Sequence, residues 1–138
     1  MVGQFIDTVW RKSFIGDLRR AKNISEDDNQ WTIVRNGITH QFQFVWIQGL
    51  CIKVDKNAGI IIIEDATGQA ELKMNARVKD PWLTVEGDYV MIAGKLLNTT
   101  SSDRIIIDPY KLQCFKSLTK TELQWSFEVV DINRRIYH

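Results

Sequence analysis

The stretch VWIQGLCIKVD, residues 45–55, alternates like a β-strand and loses its rhythm at the pair Gln48-Gly49. Phe44, just upstream, and Trp46 stand on the parity that the second half of the stretch resumes. Alternation with a period of two is typical of a strand with one buried face. A glycine inside such a strand indicates a sharp bend or a close backbone approach. The pattern predicts a long strand over residues 41–55 that bends at its glycine, with Phe44 and Trp46 in the core.

Four further strand-like segments follow this one, and a short strand precedes it after a polar loop. Four consecutive isoleucines in GIIIIED suit β structure that is buried on both faces. The turn signals are Asn36-Gly37 and Asp65-Ala66-Thr67-Gly68, in which glycine tolerates a positive φ and the aspartate can accept backbone hydrogen bonds. A second interior glycine, Gly94, marks another bend. The predicted segments are residues 31–34, 59–65, 70–75, 88–97 and 104–108, the last ending before Pro109.

Short strands with interior glycines and one tight central hairpin predict a small closed barrel, because a strand shared by two sides of such a barrel must bend. The five-stranded candidate is the OB-fold. We therefore predict a mainly β protein, with an OB-fold barrel over residues 31–116 and a C-terminal partner-docking helix over residues 117–138. An N-terminal arm over residues 1–30 packs on the barrel in this interpretation, and its pattern is compatible with a short helix or an extended segment.

Composition narrows the function classes. The 138 residues carry 18 basic and 17 acidic side chains, a net charge of +1, which argues against strong stand-alone nucleic-acid binding because such binding depends on phosphate neutralisation. No run approaches the ~20 apolar residues of a membrane span, so we expect no membrane association. Cys51 and Cys114 lie far apart among apolar neighbours and are expected to be reduced core thiols of a cytosolic or nuclear protein.

Motifs for catalysis are missing from the sequence. It contains no phosphate-binding loop, no dinucleotide fingerprint and no nucleophile elbow. Two histidines and two distant cysteines do not form a zinc-site pattern. We therefore predict a binding protein that is not an enzyme and uses no metal and no cofactor.

The C-terminal segment SLTKTELQWSFEVVDINRRIYH begins with Thr119 and Glu122 in capping-box spacing, which predicts a helix start. On a helix, the apolar side chains separate into two nearly opposite stripes. The first stripe is Trp125, Val129, Ile132 and Ile136; the second is Leu123, Phe127, Val130 and Tyr137. A helix that covers only its own barrel needs one stripe, so the other predicts a partner site. The alternative is that WSFEV forms a sixth strand.

Two functions fit these patterns. A single-stranded-DNA-binding OB-fold protein of the replication protein A or telomere-capping type would need exposed aromatic side chains on the central hairpin. GIIIIED and QAELKMN contain none. An assembly subunit that docks a larger protein through its C-terminal helix fits the two stripes better, and we expect weak or no direct nucleic-acid binding.

Several segments resemble the RecQ-mediated genome instability protein 2 family in the same order and with similar separations. They are VWIQG at 45–49, the Asp-x-x-Gly turn at 65–68, GDYVMIAG at 87–94 and WSFEVVDINRRI at 125–136, with LRRA at 18–21 as an extension. The resemblance implies a small nuclear OB-fold subunit whose C-terminal helix pairs with an OB domain of the larger RecQ-mediated genome instability subunit.

The resemblance also implies partners and site residues. The pair accompanies a Bloom-type RecQ helicase and a type IA topoisomerase that dissolve double Holliday junctions, and helps to form a groove for a Fanconi anaemia helicase peptide. By position, the family's interface lysine matches Lys111, in the expected connection from the last strand to the helix, and its helix tryptophan matches Trp125. The partner-binding residues are therefore expected to be Lys111, Trp125, Val129, Ile132 and Ile136.

Overall fold

The computed structural model describes residues 5–25, 30–99 and 103–115, so the predicted C-terminal helix lies outside the described residues. These ranges hold eight strands, one short α-helix and one 3-10 turn. No helix within them is long and apolar enough to cross a membrane. The elements are β1 (Phe5–Lys12), α1 (Ile15–Leu18), β2 (Lys22–Ser25), β3 (Gln30–Arg35), β4 (Ile38–Asp55), β5 (Ile60–Asp65), β6 (Gly68–Lys73), the 3-10 turn Pro81–Leu83, β7 (Tyr89–Asn98) and β8 (Arg104–Phe115).

Five of the strands close into a barrel in the order β4-β5-β6-β8-β7, with β7 returning to β4. The β6–β8 pairing is parallel and the other four are antiparallel. This closed five-stranded barrel confirms the predicted OB-fold. Ile61 and Ile63 are fully buried in its core, and Ile62 on the opposite parity of β5 is only 2% exposed. Three of the four isoleucines are thus buried on both faces of β5, as the composition predicted, while Ile60 is only partly buried.

Three strands extend the barrel beside the first half of β4. β1 pairs with it in parallel and β3 pairs with it antiparallel, while β2 lies outside β3. Asn36 and Gly37 both have positive φ, 51° and 76°, as expected for the tight hairpin turn between β3 and β4. The N-terminal region therefore contains both an extended segment and a short helix.

The core-facing parity of β4 changes along the strand. Phe42 is fully buried, and so are Val45 and Ile47, which stand on the other parity. Phe44 and Trp46 are only half-buried and lie outside the core cluster, so the prediction that they belong to the core is wrong. The first part of β4 packs with β3, whereas the next part pairs with β7 as a barrel strand. Both parities are apolar here, so alternation alone does not select the buried one.

Gly49 allows two barrel strands to approach closely. A Cβ on Gly49 would lie 2.7 Å from the carbonyl oxygen of Glu64 and 2.9 Å from its carbon, both backbone atoms. The ladder with β7 is regular at Gln48-Gly49, and the irregularity in β4 lies downstream, where Cys51 and Lys53 pair with consecutive residues of β5. The predicted bend is therefore displaced to Ile52, and Gly49 is required for the backbone contact.

β8 continues through Pro109 to Phe115, so the prediction that the strand ends before this proline is wrong. Ala93 pairs with Lys111 and Gly94 pairs with Pro109, which leaves Tyr110 as the extra residue of a bulge. A bulge tolerates proline because its ladder is already interrupted. A Cβ on Gly94 would clash with the Asp108 carbonyl oxygen and lie 2.8 Å from the Pro109 Cα. Gly94 thus lies at an irregularity, as predicted, and Lys111 belongs to the strand itself.

A hydrogen-bonded clasp attaches α1 to the β5–β6 turn. The Asp65 carboxylate accepts hydrogen bonds from the Thr67 and Gly68 amides at 2.7 and 3.0 Å. Its second oxygen accepts from the Ile15 amide at 2.9 Å, and the Gly16 amide donates to the Thr67 hydroxyl at 2.8 Å. Ile15 is fully buried in the core. The predicted turn aspartate therefore also caps a helix that is distant in sequence.

Candidate docking groove

Four strands present aligned side chains on the outside of the barrel. The parallel β1–β4 pairing places Lys12 beside Trp46, and the antiparallel ladders continue this row to Ala93 and Lys111. Within the barrel part of β4, core residues alternate with residues that point outward. Trp46 therefore stands on an outer surface that runs across β1, β4, β7 and β8.

A groove of about 380 Å³ crosses this surface. Its lining combines three aromatic rings, two apolar side chains and one lysine. The residues are Trp10, Trp46, Met91, Ala93, Tyr110 and Lys111, and we call this feature the outer-face groove. The bulge at Tyr110 explains why two consecutive residues of β8 both line it, since a bulge redirects the side chains around it.

The aromatic rings pack against one another at one end of the groove. The Trp10 and Phe44 ring centroids lie 4.6 Å apart in a stacked arrangement, and Phe44 and Tyr110 lie 5.5 Å apart at a tilt. Trp10 nevertheless remains 44% exposed. Such ring pairs fix the orientation of the wall while leaving apolar surface accessible.

Cations cover two of the rings. The Lys12 ammonium lies 5.0 Å from the Trp46 ring centroid, and the Arg77 guanidinium lies 4.5 Å from that of Tyr110. Arg77 is held in turn by the Asp108 carboxylate at 2.5 Å. Both distances are typical of cation–π contacts. One face of the Trp46 ring and one face of the Tyr110 ring are therefore already in contact with side chains of the same chain.

Two buried polar atoms near the groove have no hydrogen-bond partner among the described residues. They are the indole nitrogen of Trp46, which lines the groove, and the amide oxygen of Gln48, the next outward residue along β4. Gln48 is 5% exposed and pairs across the ladder with Met91. A buried donor or acceptor without a partner is costly, so an occupant of the groove that supplied an acceptor for the Trp46 indole would gain binding energy.

The structure describes one of the five predicted partner-binding residues. Lys111 lies exposed at the groove, while Trp125, Val129, Ile132 and Ile136 lie outside the described residues. Sequence reasoning missed Trp10 and Tyr110, and it assigned Trp46 to the core. The available signal was the density of apolar residues on both parities of FQFVWI, which is typical of a strand covered on two sides.

The clearly perturbed titratable groups described by the structure belong to the barrel and its extension, outside the lining of the groove. Burial, with the charges of Arg11 and Arg35, lowers the pKa of His40 to about 4. Burial raises the pKa of the Cys51 thiol to about 11, and both Cys51 and Cys114 are free thiols. Among the described residues, no group of three His, Cys, Asp or Glu side chains could hold a metal ion. The chemistry available in the groove is therefore apolar contact, hydrogen bonding and positive charge.

Comparisons with known proteins agree with the barrel. A family model described as RecQ-mediated genome instability protein 2 matches residues 11–133. This range includes Lys111 and three residues of the first helix stripe, and only Ile136 falls beyond it. A search of curated proteins found no match.

Solved structures share the fold at low sequence identity. A chain of the S. pombe Stn1–Ten1 complex is 11% identical with a TM-score of 0.66, covering 94% of this chain and 95% of that one. A chain of a replication protein A heterotrimer bound to single-stranded DNA is 16% identical with a TM-score of 0.69, covering 95% and 100%. The S. pombe telomere capping protein Ten1 is 14% identical with a TM-score of 0.56, covering 89% and 96%. These likenesses show the OB-fold.

Proposed function

We propose a function from one premise: the chain belongs to the RecQ-mediated genome instability protein 2 family. As an OB-fold member of this genome-maintenance family, it acts as a non-catalytic adaptor subunit in the nucleus. It pairs directly, OB-fold against OB-fold, with the larger RecQ-mediated genome instability subunit. Through that subunit it stabilises a complex of a Bloom-type RecQ helicase and a type IA topoisomerase that dissolves double Holliday junctions.

The observation that carries this proposal is the outer-face groove. Its lining is almost entirely apolar and aromatic, Trp10 remains 44% exposed, and the buried indole nitrogen of Trp46 has no acceptor among the described residues. Exposed apolar surface of this kind usually marks a site of protein interaction. Aromatic side chains surrounded by a polar rim are also typical of the energetically important centre of an interface.

The partner contact in this proposal combines the groove with the predicted C-terminal helix. Lys111 is an exposed residue of β8 that lines the groove, and it offers a positive charge to the partner. Trp125 leads the first helix stripe, which continues through Val129, Ile132 and Ile136. The barrel then serves as a rigid platform that presents this stripe to an OB domain of the larger subunit.

Trp125→Ala in the full chain tests the proposal. Truncating an aromatic anchor at the centre of an interface typically costs ~2–4 kcal/mol, which corresponds to a ~30- to 1,000-fold weaker complex. Calorimetric titration with the OB domain of the larger subunit measures this loss, and circular dichroism checks that the barrel stays folded. Phe127→Ala, on the opposite stripe, is the matched control: it keeps partner affinity and lowers the melting temperature of the isolated chain. Normal binding by both variants would contradict helix docking.

Lys111→Glu tests the second contact with a smaller expected effect, because exposed charges contribute less than buried rings. The matched control is Lys73→Glu, on an exposed residue of β6 away from the groove. We expect only the Lys111 variant to slow association with the larger subunit in surface plasmon resonance. Equal rates for the two variants would remove Lys111 from the interface.

Single-stranded-DNA binding is the second candidate, and one observation favours it: Lys12 and Arg77 lie on the same surface as several aromatic rings. Base stacking requires an accessible ring face. Here one face of each groove ring is already occupied, since Phe44 stacks on Trp10, Lys12 lies over Trp46 and Arg77 lies over Tyr110. With a net charge of +1, the electrostatic contribution to binding is also small. The adaptor function therefore explains the groove better.

A further inference from the structure

The connection between β6 and β7 contacts one wall of the outer-face groove. We propose that Asn75 and Arg77 of this connection are positioning residues. They act through Asp108 and fix the bulge of β8 that presents Tyr110 and Lys111 in the groove. The inference rests on the proposed function, because the groove that these residues shape is the one assigned to the larger subunit.

A hydrogen-bonded network joins the connection to the bulge. The Asn75 side-chain amide donates to one oxygen of the Asp108 carboxylate at 2.6 Å and to the Pro109 carbonyl oxygen at 2.9 Å. The Arg77 guanidinium donates to the other Asp108 oxygen at 2.5 Å. The side-chain oxygen of Asn75 also accepts from the Arg77 backbone amide at 2.8 Å, which orders the turn between them. Both oxygens of Asp108 are therefore held by the connection.

The bulge needs such contacts because the β-ladder does not orient its extra residue. Tyr110 has no partner in the register of β7 and β8. Gly94 limits the bulge on the β7 side, where an added Cβ would lie 2.8 Å from the Pro109 Cα. Asn75 follows β6 and binds the Pro109 carbonyl from the β6 side. The bulge is thus held from both neighbouring strands, and removing the Asn75 contact would leave it held from one.

Arg77 links this network to the aromatic wall. Its guanidinium lies 4.5 Å from the Tyr110 ring centroid, within the range of a cation–π contact, while it is bound to Asp108. A guanidinium is planar and donates in a fixed fork, so its bond to the carboxylate restrains how it lies over the ring. The Tyr110 ring in turn lies 5.5 Å from Phe44, which stacks on Trp10 at 4.6 Å. The contacts therefore form one row from Arg77 to Trp10 of β1.

The network is suited to positioning the ring more than to stabilising the barrel. The Arg77 side chain is 53% exposed and that of Asp108 is 24% exposed. Ion pairs this open to solvent contribute little to the free energy of unfolding. Removing the Arg77 guanidinium is therefore expected to leave the melting temperature nearly unchanged while the position of the Tyr110 ring changes. This difference separates a positioning role from a purely structural one.

NMR of the isolated full chain with isotope-labelled tyrosine rings tests the position of the ring. Arg77→Met and Asn75→Asp should both shift the Tyr110 ring signals, which the Tyr110→Phe variant assigns. Asn75→Asp removes the amide donor and places a carboxylate against that of Asp108. Lys79→Met is the matched control, because it removes a cation from an exposed residue of the same connection. Unchanged Tyr110 signals in Arg77→Met, or equal shifts in the control, would overturn the positioning role.

A double-mutant cycle with the OB domain of the larger subunit tests the consequence for binding. Arg77→Met should weaken the calorimetric affinity about 3- to 10-fold where Tyr110 is present. In the Tyr110→Ala background it should have no further effect, because Arg77 acts through that ring. Lys79→Met should bind like its parent in both backgrounds. Thermal unfolding checks that the Arg77 variant keeps the wild-type melting temperature.

The remaining outcomes of the cycle contradict separate statements. Equal losses in the two backgrounds would show that Arg77 acts without Tyr110, and no loss in either would show that binding does not depend on Arg77. Both results overturn the proposal. Normal binding by Tyr110→Ala would contradict the use of the groove in the proposed function. The NMR signals contain no contribution from the partner, so they would still decide whether Arg77 and Asn75 hold the ring.

Discussion

Two outward surfaces of one barrel differ in kind. The β5–β6 hairpin presents Glu64, Glu71 and Lys73, and its described side chains include no aromatic ring. The outer-face groove carries Trp10, Trp46 and Tyr110 instead. OB-folds commonly bind oligonucleotides on their second and third strands, which are β5 and β6 here. The difference teaches that the fold provides several possible surfaces, and that the distribution of side chains decides which one suits a partner.

Gly49→Val is expected to have the largest effect on the two surfaces, because β4 contributes to both of them near this residue. Leu50, the next residue, pairs with both Glu64 of β5 and Tyr89 of β7. A valine side chain would meet the Glu64 backbone, so the two surfaces could not keep their relative position. We expect a loss of about 4 kcal/mol, at the upper end for a point substitution, measured by urea unfolding.

Lys53→Val is the matched control for this substitution. It introduces the same β-branched residue into β4 at an exposed position, and we expect a change within about 0.5 kcal/mol. If Gly49→Val unfolds at the wild-type urea concentration, the close approach between Gly49 and Glu64 is not required for the barrel.

Lowering the pH is expected to destabilise the region around β1 and β3 before the β5–β6 hairpin. His40 is 2% exposed, and its folded-state pKa is lowered from 6.5 to about 4. Below pH 6.5 the unfolded chain binds a proton that the folded chain does not bind, so stability is complete above this pH and declines as pH falls toward 4. We expect His40 to account for a loss of about 2 kcal/mol between pH 7 and pH 5.

Urea unfolding at the two pH values measures this loss, and His40→Gln is the control because it removes the titrating group. The difference between the two proteins isolates His40 from the carboxylates. Hydrogen exchange should show β1 and β3 losing protection before β5 and β6. Parallel pH dependences in the wild type and the variant would contradict the lowered pKa.

Asp65→Ala should remove the hydrogen bonds of the clasp that attaches α1 to the β5–β6 turn. The carboxylate accepts hydrogen bonds from the backbone amides of Ile15, Thr67 and Gly68. Losing a cap of this kind costs about 1–2 kcal/mol. Asp55→Ala is the matched control, since Asp55 accepts one bond from the Ala58 amide in an exposed turn. In thermal unfolding, the Asp65 variant should have a lower melting temperature than the Asp55 variant. The reverse order would exclude a specific role for the clasp.

The smallest expected effect is that of Trp10→Ala on the binding of single-stranded DNA, which tests whether either surface binds nucleic acid. Neither surface combines open ring faces with a strong positive charge, so we expect the isolated chain to bind single-stranded DNA no more tightly than ~1 μM at physiological salt. Fluorescence anisotropy with labelled DNA tests this, with Trp10→Ala as the paired variant expected to match the wild type. Submicromolar binding that Trp10→Ala weakens would assign the groove to nucleic acid.

Local chemistry made part of the structure predictable. The turn at Asn36-Gly37 forms because both residues tolerate positive φ, and Asp65 organises its turn because a carboxylate accepts nearby amide hydrogens. The interior glycines were informative because a missing Cβ permits close approach. Gly94 does lie at an irregularity, whereas the irregularity predicted at Gly49 lies at Ile52.

The candidate site was less predictable because its residues come from strands that are distant in sequence. Lys111 was found by family resemblance, and its place beside the groove depends on the bulge at Tyr110. Trp10 becomes part of the site only because β1 pairs in parallel with β4, which places it beside Phe44. A parallel pairing of separated segments leaves no local turn signal to identify it.

The sequence by itself determined that this chain forms a small β-barrel, since alternation, isoleucine composition and turn residues all act over a few neighbouring positions. Only the tertiary structure decided which side of β4 is buried. Val45 and Ile47 face the core while Phe44 and Trp46 face outward, although all four side chains are apolar. The physical reason is that strand parity has two solutions when both faces are hydrophobic, and the strands that pack around β4 select between them.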